Sequence, residues 1–250
     1  MSEKSIRFRI ATYNIHKSRG FDRRTSPERI ISVIRELGAD ILCLQEVVNA
    51  PGGSGKFDQV QKIAMALSAR GWAFGITRPL RGGTYGNLTL SRWPIRGWRH
   101  FDISRRHREK RGVLQTDIDI GHKHTLHVFN VHFGTGFMER RYQGRKLVSP
   151  ELLTHPELKG PRIILGDFNE WTRGLTTELL QQNFKSFRPQ HAMRFPRTFP
   201  GMLPLVTLDH CYYEPPLELV DTSIWRTPKA LIASDHLPLV ADFRLDATAI

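Results

Sequence analysis

The chain has 250 residues, 40% of them hydrophobic and 24% charged, which excludes a disordered or fibrous protein and allows a substantial core. Its formal net charge of +13 and pI near 10.3 favour polyanionic partners, either a nucleic-acid backbone or an anionic membrane surface. Two cysteines, Cys43 and Cys211, each inside an apolar run, exclude a disulfide framework, and no apolar run approaches the ~18 residues of a membrane span; the expectation is a soluble, cytoplasmic chain without a signal peptide.

Residues 6–15 alternate as a strand and end in Asn14-Ile15-His16. Thr25-Ser26-Pro27-Glu28 supplies a capping box and a first-turn proline. Ile30, Ile31, Val33, Ile34 and Leu37 then form a helical stripe that Gly38 stops. Residues 40–46 read as a strand buried on both faces and finishing at Gln45-Glu46. A carboxylate closing such a strand is a poor structural choice unless something pairs with it. After a loop at 51–55, a helix is expected over about 57–70, then strands around 72–77 and 88–91.

Residues 92–111 hold eight Lys or Arg against only Asp102 and Glu109, with Trp93, Trp98 and Phe101 interleaved. This stretch reads either as a solvated, charged hairpin or as a phosphate-tracking surface with aromatic stacking partners, and the second reading is preferred. Residues 112–120 and 125–132 form an antiparallel pair. Alternation at their hairpin end explains His122, His124 and His127 better than a metal site does. His132 closes a buried strand as Glu46 does. A helix is expected within 138–153, another near 174–183, a loop at 196–204, and strands at 205–213 and 239–245. No repeat, linker or change of composition divides the chain, so residues 1–250 read as one domain.

The apolar run Ile163-Ile164-Leu165 leads into Gly166-Asp167-Phe168-Asn169. An Asx-turn after a strand and a catalytic acid beside an amide are both open readings of this tetrapeptide. The other strand ends weigh on it: Asn14, Glu46, His132, Asp209, Asp235 and His236 are all acid, amide or imidazole groups. Buried strands that all end this way imply one pocket at a shared sheet edge. Crowded carboxylates require a cation, and hard oxygen ligands point to Mg²⁺ or Mn²⁺. No P-loop and no G-x-S-x-G elbow occurs.

Seven segments in order carry a resemblance: Thr12-Tyr13-Asn14-Ile15-His16, Leu44-Gln45-Glu46, Leu90-Ser91-Arg92-Trp93-Pro94-Ile95, Asn130-Val131-His132-Phe133, Gly166-Asp167-Phe168-Asn169, Leu208-Asp209-His210 and Ser234-Asp235-His236-Leu237-Pro238. Together they resemble the endonuclease/exonuclease/phosphatase superfamily. Lys110-Arg111-Gly112-Val113-Leu114 and Arg197-Thr198-Phe199-Pro200 look most like its small bacterial hydrolases. The resemblance implies a four-layer α/β sandwich, two mixed β-sheets face to face with helices outside, and metal-dependent hydrolysis of a phosphate ester. It makes Glu46 the principal Mg²⁺ ligand, with Asn14 and Asp235 beside it. Asp167 would orient or deprotonate the attacking water, and Asn169 would hold that water or a phosphate oxygen. Asp209 and His236 would form an acid-imidazole pair, and His132 would contact the phosphate or assist the leaving group. Asn87 and Arg111 are candidate substrate contacts. Two departures stand out: His16 occupies a position where other members carry another polar residue, and no carboxylate lies near Tyr85-Gly86-Asn87. The expected substrate is a nucleic-acid backbone ahead of phospholipid or inositol-phosphate head groups, with a silent polyanion-binding module as the remaining alternative.

Overall fold

The computed structural model describes residues 5–51, 58–121, 124–187 and 197–246. Residues 52–55 of the expected loop, Phe57, His122 and Pro196 lie outside them. In chain order the strands are β1 (Ser5–Asn14), β2 (Ile41–Asn49), β3 (Gly71–Leu80), β4 (Gly83–Ser91), β5 (Ile95–Asp102), β6 (Gly112–Asp119), β7 (Thr125–His132), β8 (Arg162–Asp167), β9 (Lys185–Ser186), β10 (Asp209–Tyr213), β11 (Leu217–Ile224) and β12 (Leu239–Asp246). The helices are α1 (Pro27–Leu37), α2 (Gln59–Ala66), α3 (Phe137–Leu147), α4 (Leu175–Gln181) and α5 (Pro228–Ala233). The strands form two six-stranded sheets, β11-β12-β1-β2-β4-β3 and β5-β6-β7-β8-β10-β9. Each sheet is mixed: β1 runs parallel to β2, and β7 to β8, while the other pairings are antiparallel.

Alternation along the buried strands sorts the core into layers. On β1 and β2, Ala11, Tyr13, Leu42 and Leu44 face outward against Ile30, Val33 and Ile34 of α1, Val60 and Ile63 of α2, and Ala230 and Ala233 of α5. Their neighbours Ile10, Ile41 and Cys43 face inward and meet Val128, Ile163, Leu165 and Cys211 of the other sheet. Phe129, Val131 and Ile164 turn out on the far side, against Leu147, Leu152 and Leu180. Helix, sheet, sheet and helix thus stack as the four-layer α/β sandwich that the resemblance implied. Burying each such Leu, Ile or Phe contributes about 1.5–3 kcal/mol.

Several elements differ from the sequence reading. The cap of α1 is Ser26, whose hydroxyl accepts from the Arg29 amide at 3.2 Å, in place of the Thr25–Glu28 box. Helix α3 stops at Leu147. Strand β10 begins only at Asp209, and β11 and α5 were not foreseen. The strand expected to end at Glu46 continues to Asn49, because Glu46 sits in a register shift between Leu44 and Val47 with φ of +59°. That bulge turns its carboxylate out of the sheet's alternation.

The basic stretch divides in two. Strand β5 lies at the edge of the second sheet, where charges discourage further pairing. Arg92 pairs with Asp40 and stacks on Trp93, Arg96 pairs with Asp119, and Lys110 with Asp102. Trp93 and Phe101 pack against the core. The solvated-hairpin reading fits residues 92–102; Arg105, Arg106 and Arg108 lie on the loop that follows.

Candidate active site

Both parallel pairs send their C-terminal ends to one edge, and that edge collects the polar strand ends. Strand β1 delivers Asn14, β7 His132 and β8 Asp167, while antiparallel β10 starts there with Asp209, opposite Asp167. One oxygen is the hub. Asp167 Oδ2 accepts from Asn14 Nδ2 at 3.0 Å and lies 3.7 Å from both His132 Nε2 and His236 Nε2. The other oxygen, Oδ1, accepts from the backbone N–H of Asn169 at 2.9 Å. The tetrapeptide is therefore an Asx-turn and part of the cluster at once. Asn169, at φ +49°, donates its amide to the Phe133 carbonyl. Phe168 turns away into the outer core. Gly166, at φ +145°, packs so close to Val131 that a Cβ would meet its carbonyl at 2.0 Å.

Burial and neighbours drive the titrating groups apart. His236 Nδ1 lies 2.9 Å from Asp209 Oδ2. Burial opposes its charge, but Asp209 and Asp167 outweigh that and push the imidazole up to about 10. Burial raises Asp167 to about 6, against the pull of His236. His132 is held well below its usual range by burial and by Arg111, so it is neutral. Asp209 is fully buried, and its Oδ1 has no hydrogen-bond partner among the described residues.

Glu46 stands in a different setting. Its Oε2 pairs with Lys17 Nζ at 3.0 Å, and its Oε1 is 3.5 Å from Asn14 Nδ2. Burial opposes ionisation, yet the pull of His132 and Lys17 prevails and holds Glu46 near about 2. With His132 neutral, the Lys17 pair is the contribution that persists. Lys17 belongs to a turn, His16–Ser18, in which all three residues have φ between 44° and 60°. Gln59 of α2 clasps it, donating to the Lys17 carbonyl and accepting from the Val48 amide, both at 2.9 Å.

Among the described residues no three or more His, Cys, Asp or Glu side chains are arranged to hold a metal ion. What Glu46 and Asn14 offer a divalent cation is an ionised carboxylate and an amide oxygen, here accepting from the His16 N–H. That donor set fits Mg²⁺, which keeps several waters and needs few protein ligands. Of the crowded acids foreseen in the sequence, Glu46 is paired with Lys17 and Asp209 with His236, while Asn14 donates an uncharged hydrogen bond to Asp167.

The structure brings Asn14, Glu46, His132, Asp167, Asn169, Asp209 and His236 together. Asp235 is engaged by His16 at 3.4 Å and by Ser234 at 3.3 Å, and the same Ser234 hydroxyl donates to the Asn14 carbonyl at 2.8 Å. Asn87 is different from expectation: it is buried and donates to the Gly112 and Asn130 carbonyls, 3.2 Å each, so its amide ties the two sheets together. Arg111 is also buried; Nη2 pairs with Glu109 at 2.9 Å, while Nε and Nη1 have no hydrogen-bond partner among the described residues. His127 is satisfied by Asp117 and the Lys159 carbonyl, as a structural histidine. Gln45 and Asn130 stood in the quoted motifs but were given no role. Gln45 donates to Asn130 Oδ1 at 2.8 Å, and Asn130 donates to the Leu44 and Leu88 carbonyls, locking the sheets together beneath the cluster. Amides inside apolar strands were the available signal.

The sequence matches the Endonuclease/Exonuclease/phosphatase family over residues 11–236. It is 32% identical over 250 residues to "Uncharacterized protein YbhP" of Escherichia coli K12, a match covering 95% of this chain and 96% of that protein. In structure it is similar to an endonuclease/exonuclease/phosphatase from Beutenbergia cavernae, with a TM-score of 0.76 and 23% identity over 96% of this chain and 72% of the other. A mannosyl-6-phosphatase from Bacteroides thetaiotaomicron matches with a TM-score of 0.71 and 15% identity over 94% of this chain and 99% of that one. The chain belongs to the Endonuclease/Exonuclease/phosphatase family, whose members are hydrolases of phosphate esters.

Proposed function

We propose that the chain is a Mg²⁺-dependent phosphodiesterase that attacks a polyanionic substrate with water. The observation that carries this reading is the single oxygen of Asp167 facing Asn14, His132 and His236. The 3.7 Å separations from the two imidazoles exceed hydrogen-bond length and leave room for a bridging oxygen. Asp167, raised towards neutrality, accepts a proton from the attacking water. His236, kept protonated and oriented by Asp209, donates to a phosphoryl oxygen and offsets the charge that develops there. The neutral His132 ring and the free N–H groups of Arg111 hold the other phosphoryl oxygens. Asn169 fixes Asp167 through its backbone N–H. Glu46 and Asn14, with Asp235 on the adjoining flank, would hold the metal, which when bound polarises the phosphoryl group as a Lewis acid.

The expectation of a nucleic-acid backbone rested on the eight Lys and Arg of 92–111, of which Arg92, Arg96, Lys110 and Arg111 are paired with acids of the same chain. The unspent arginines of 105–108 suit any polyanion. Purified protein with Mg²⁺ is expected to hydrolyse bis(p-nitrophenyl) phosphate and to lose the activity with EDTA, with Asp167→Asn and with His236→Ala. Unchanged rates in both variants would sink the assigned site. Plasmid DNA, RNA and phospholipid vesicles assayed in parallel separate the substrate classes.

A further inference from the structure

The buried guanidinium of Arg111 is under-matched. Its side chain is 7% exposed, yet only Nη2 meets an acid, Glu109 Oε2 at 2.9 Å, and Nε and Nη1 have no hydrogen-bond partner among the described residues. A buried donor left unmade is costly, most of all on a charged group. A carboxylate beside a guanidinium commonly closes two parallel hydrogen bonds. Glu109 reaches one donor only, because its other oxygen lies 3.3 Å from Arg78 Nε, an ion pair without hydrogen-bond alignment.

This divided acid sits beside the cluster, between the sheets. Arg111 precedes β6, whose first residue, Gly112, pairs with His132 at the end of β7. Arg78 comes from the other sheet, where it follows a register shift of β3 and lies opposite Tyr85 of β4. Its guanidinium is 4.7 Å from the centre of the Tyr85 ring, and Lys17, the partner of Glu46, is 5.6 Å from the same ring. Glu109 thus links the two sheets on the side where Glu46 and His132 stand.

The backbone around Arg111 is pinned, whereas the Glu109 side chain is not. The Ile103 N–H donates to the Arg111 carbonyl at 3.0 Å, and the Arg111 N–H donates to Ser104 Oγ at 3.0 Å. Ile103 itself is fully buried. The Glu109 side chain is 47% exposed, so it can turn out to water by rotation about its own bonds while the loop base stays in place. An ion pair so exposed is weak. A phosphoryl group brings several oxygens and can meet the donors that one carboxylate oxygen leaves bare.

We propose that Glu109 is an internal competitor of the substrate: its carboxylate occupies Arg111 until a phosphoryl group displaces it, and Arg78 retains it afterwards. The inference rests on the reading in which Arg111 holds phosphoryl oxygens. Glu109 then acts on substrate affinity and not on the chemical step.

The test is Glu109→Gln in the full chain with Mg²⁺. On bis(p-nitrophenyl) phosphate its KM is expected to fall about fivefold, with kcat within about twofold of wild type. Titration calorimetry with inorganic phosphate should show a matching gain in affinity, in a protein whose circular dichroism is that of wild type. Arg78→Met should act in the opposite direction, since it releases the second oxygen of Glu109 to Arg111. The resulting rise in KM should vanish when Glu109→Gln is added. A Glu109 that merely props its loop would give a raised KM in Glu109→Gln. A raised or unchanged KM overturns the proposal, and so does phosphate affinity that fails to rise. A chain that hydrolyses no ester, while Glu109→Gln still tightens phosphate, would instead indict the catalytic reading and leave the internal competitor standing.

Discussion

Two carboxylates reach the same amide from opposite sheets and live in opposite conditions. Glu46, on a bulge of β2, keeps a side chain 16% exposed beside Lys17 and is held near about 2. Asp167, at the end of β8, is 1% exposed, faces two imidazoles and is raised to about 6. Asn14 bridges them, at 3.5 Å and 3.0 Å. A group that stays charged suits a cation, while one near neutrality can take and return a proton. Environment, more than residue type, divides the labour between the two acids.

That division can be broken from either side. Asp167→Asn removes the proton acceptor, and its kcat is expected to fall about 10²–10⁴-fold with Mn²⁺ affinity little changed. Electron paramagnetic resonance of bound Mn²⁺ checks the second half. Glu46→Gln should do the reverse, weakening Mn²⁺ by about 100-fold or more, beyond the cost typical of a group that only supports a ligand. Excess metal should then restore part of its rate; equal responses in the two variants would end the distinction.

The pH dependence sharpens the same contrast. Activity should decline below about pH 6 as Asp167 takes up a proton, whereas Glu46, near about 2, contributes no limb in that range. His236 governs stability at the other end. Its folded value, about 10, lies above the ordinary 6.5, so its contribution is full below about pH 6.5 and is lost as pH rises through about 10. Urea midpoints at pH 7 and pH 10 should therefore fall in the wild type, and by less in Asp209→Asn. The smallest effect belongs to Lys17→Met. An ion pair with a lysine 41% exposed is worth at most about 1 kcal/mol, so Mn²⁺ should tighten about fivefold or less.

Much of this site was legible because its residues close strands that are apolar on both faces. Asn14, His132 and Asp167 all end the strands read for them. Glu46 was noticed for the right chemical reason, since an acid in such a run needs a partner, but its geometry was not. Nothing in Leu44-Gln45-Glu46-Val47 announces a positive φ, and Lys17 is distant in sequence. Gln45 and Asn130 stood in the motifs without a role, because the bonds that define them, from Gln45 to Asn130 and from Asn130 to the Leu44 and Leu88 carbonyls, cross between the sheets. The stretch leading into β5 misled because Arg92 and Arg96 are paired with Asp40 and Asp119, contacts made only by the fold. The short helix α5 did carry its signal, Thr227 capping Ala230 before a first-turn proline, but six residues are too few for periodicity.

The turn at His16–Ser18 has a consequence for how the molecule fails. Three successive side-chain-bearing residues held left-handed cost on the order of 1–3 kcal/mol each. The Gln59 clasp is what sets Lys17 and the bulge of β2 against one another. Replacing that one uncharged side chain would let the turn relax downhill and carry His16 from Asp235 and Lys17 from Glu46, with the sheets intact. The cluster would come apart in a protein that still melts cooperatively, so a thermal scan of Gln59→Ala would look healthy while its cation site had dispersed.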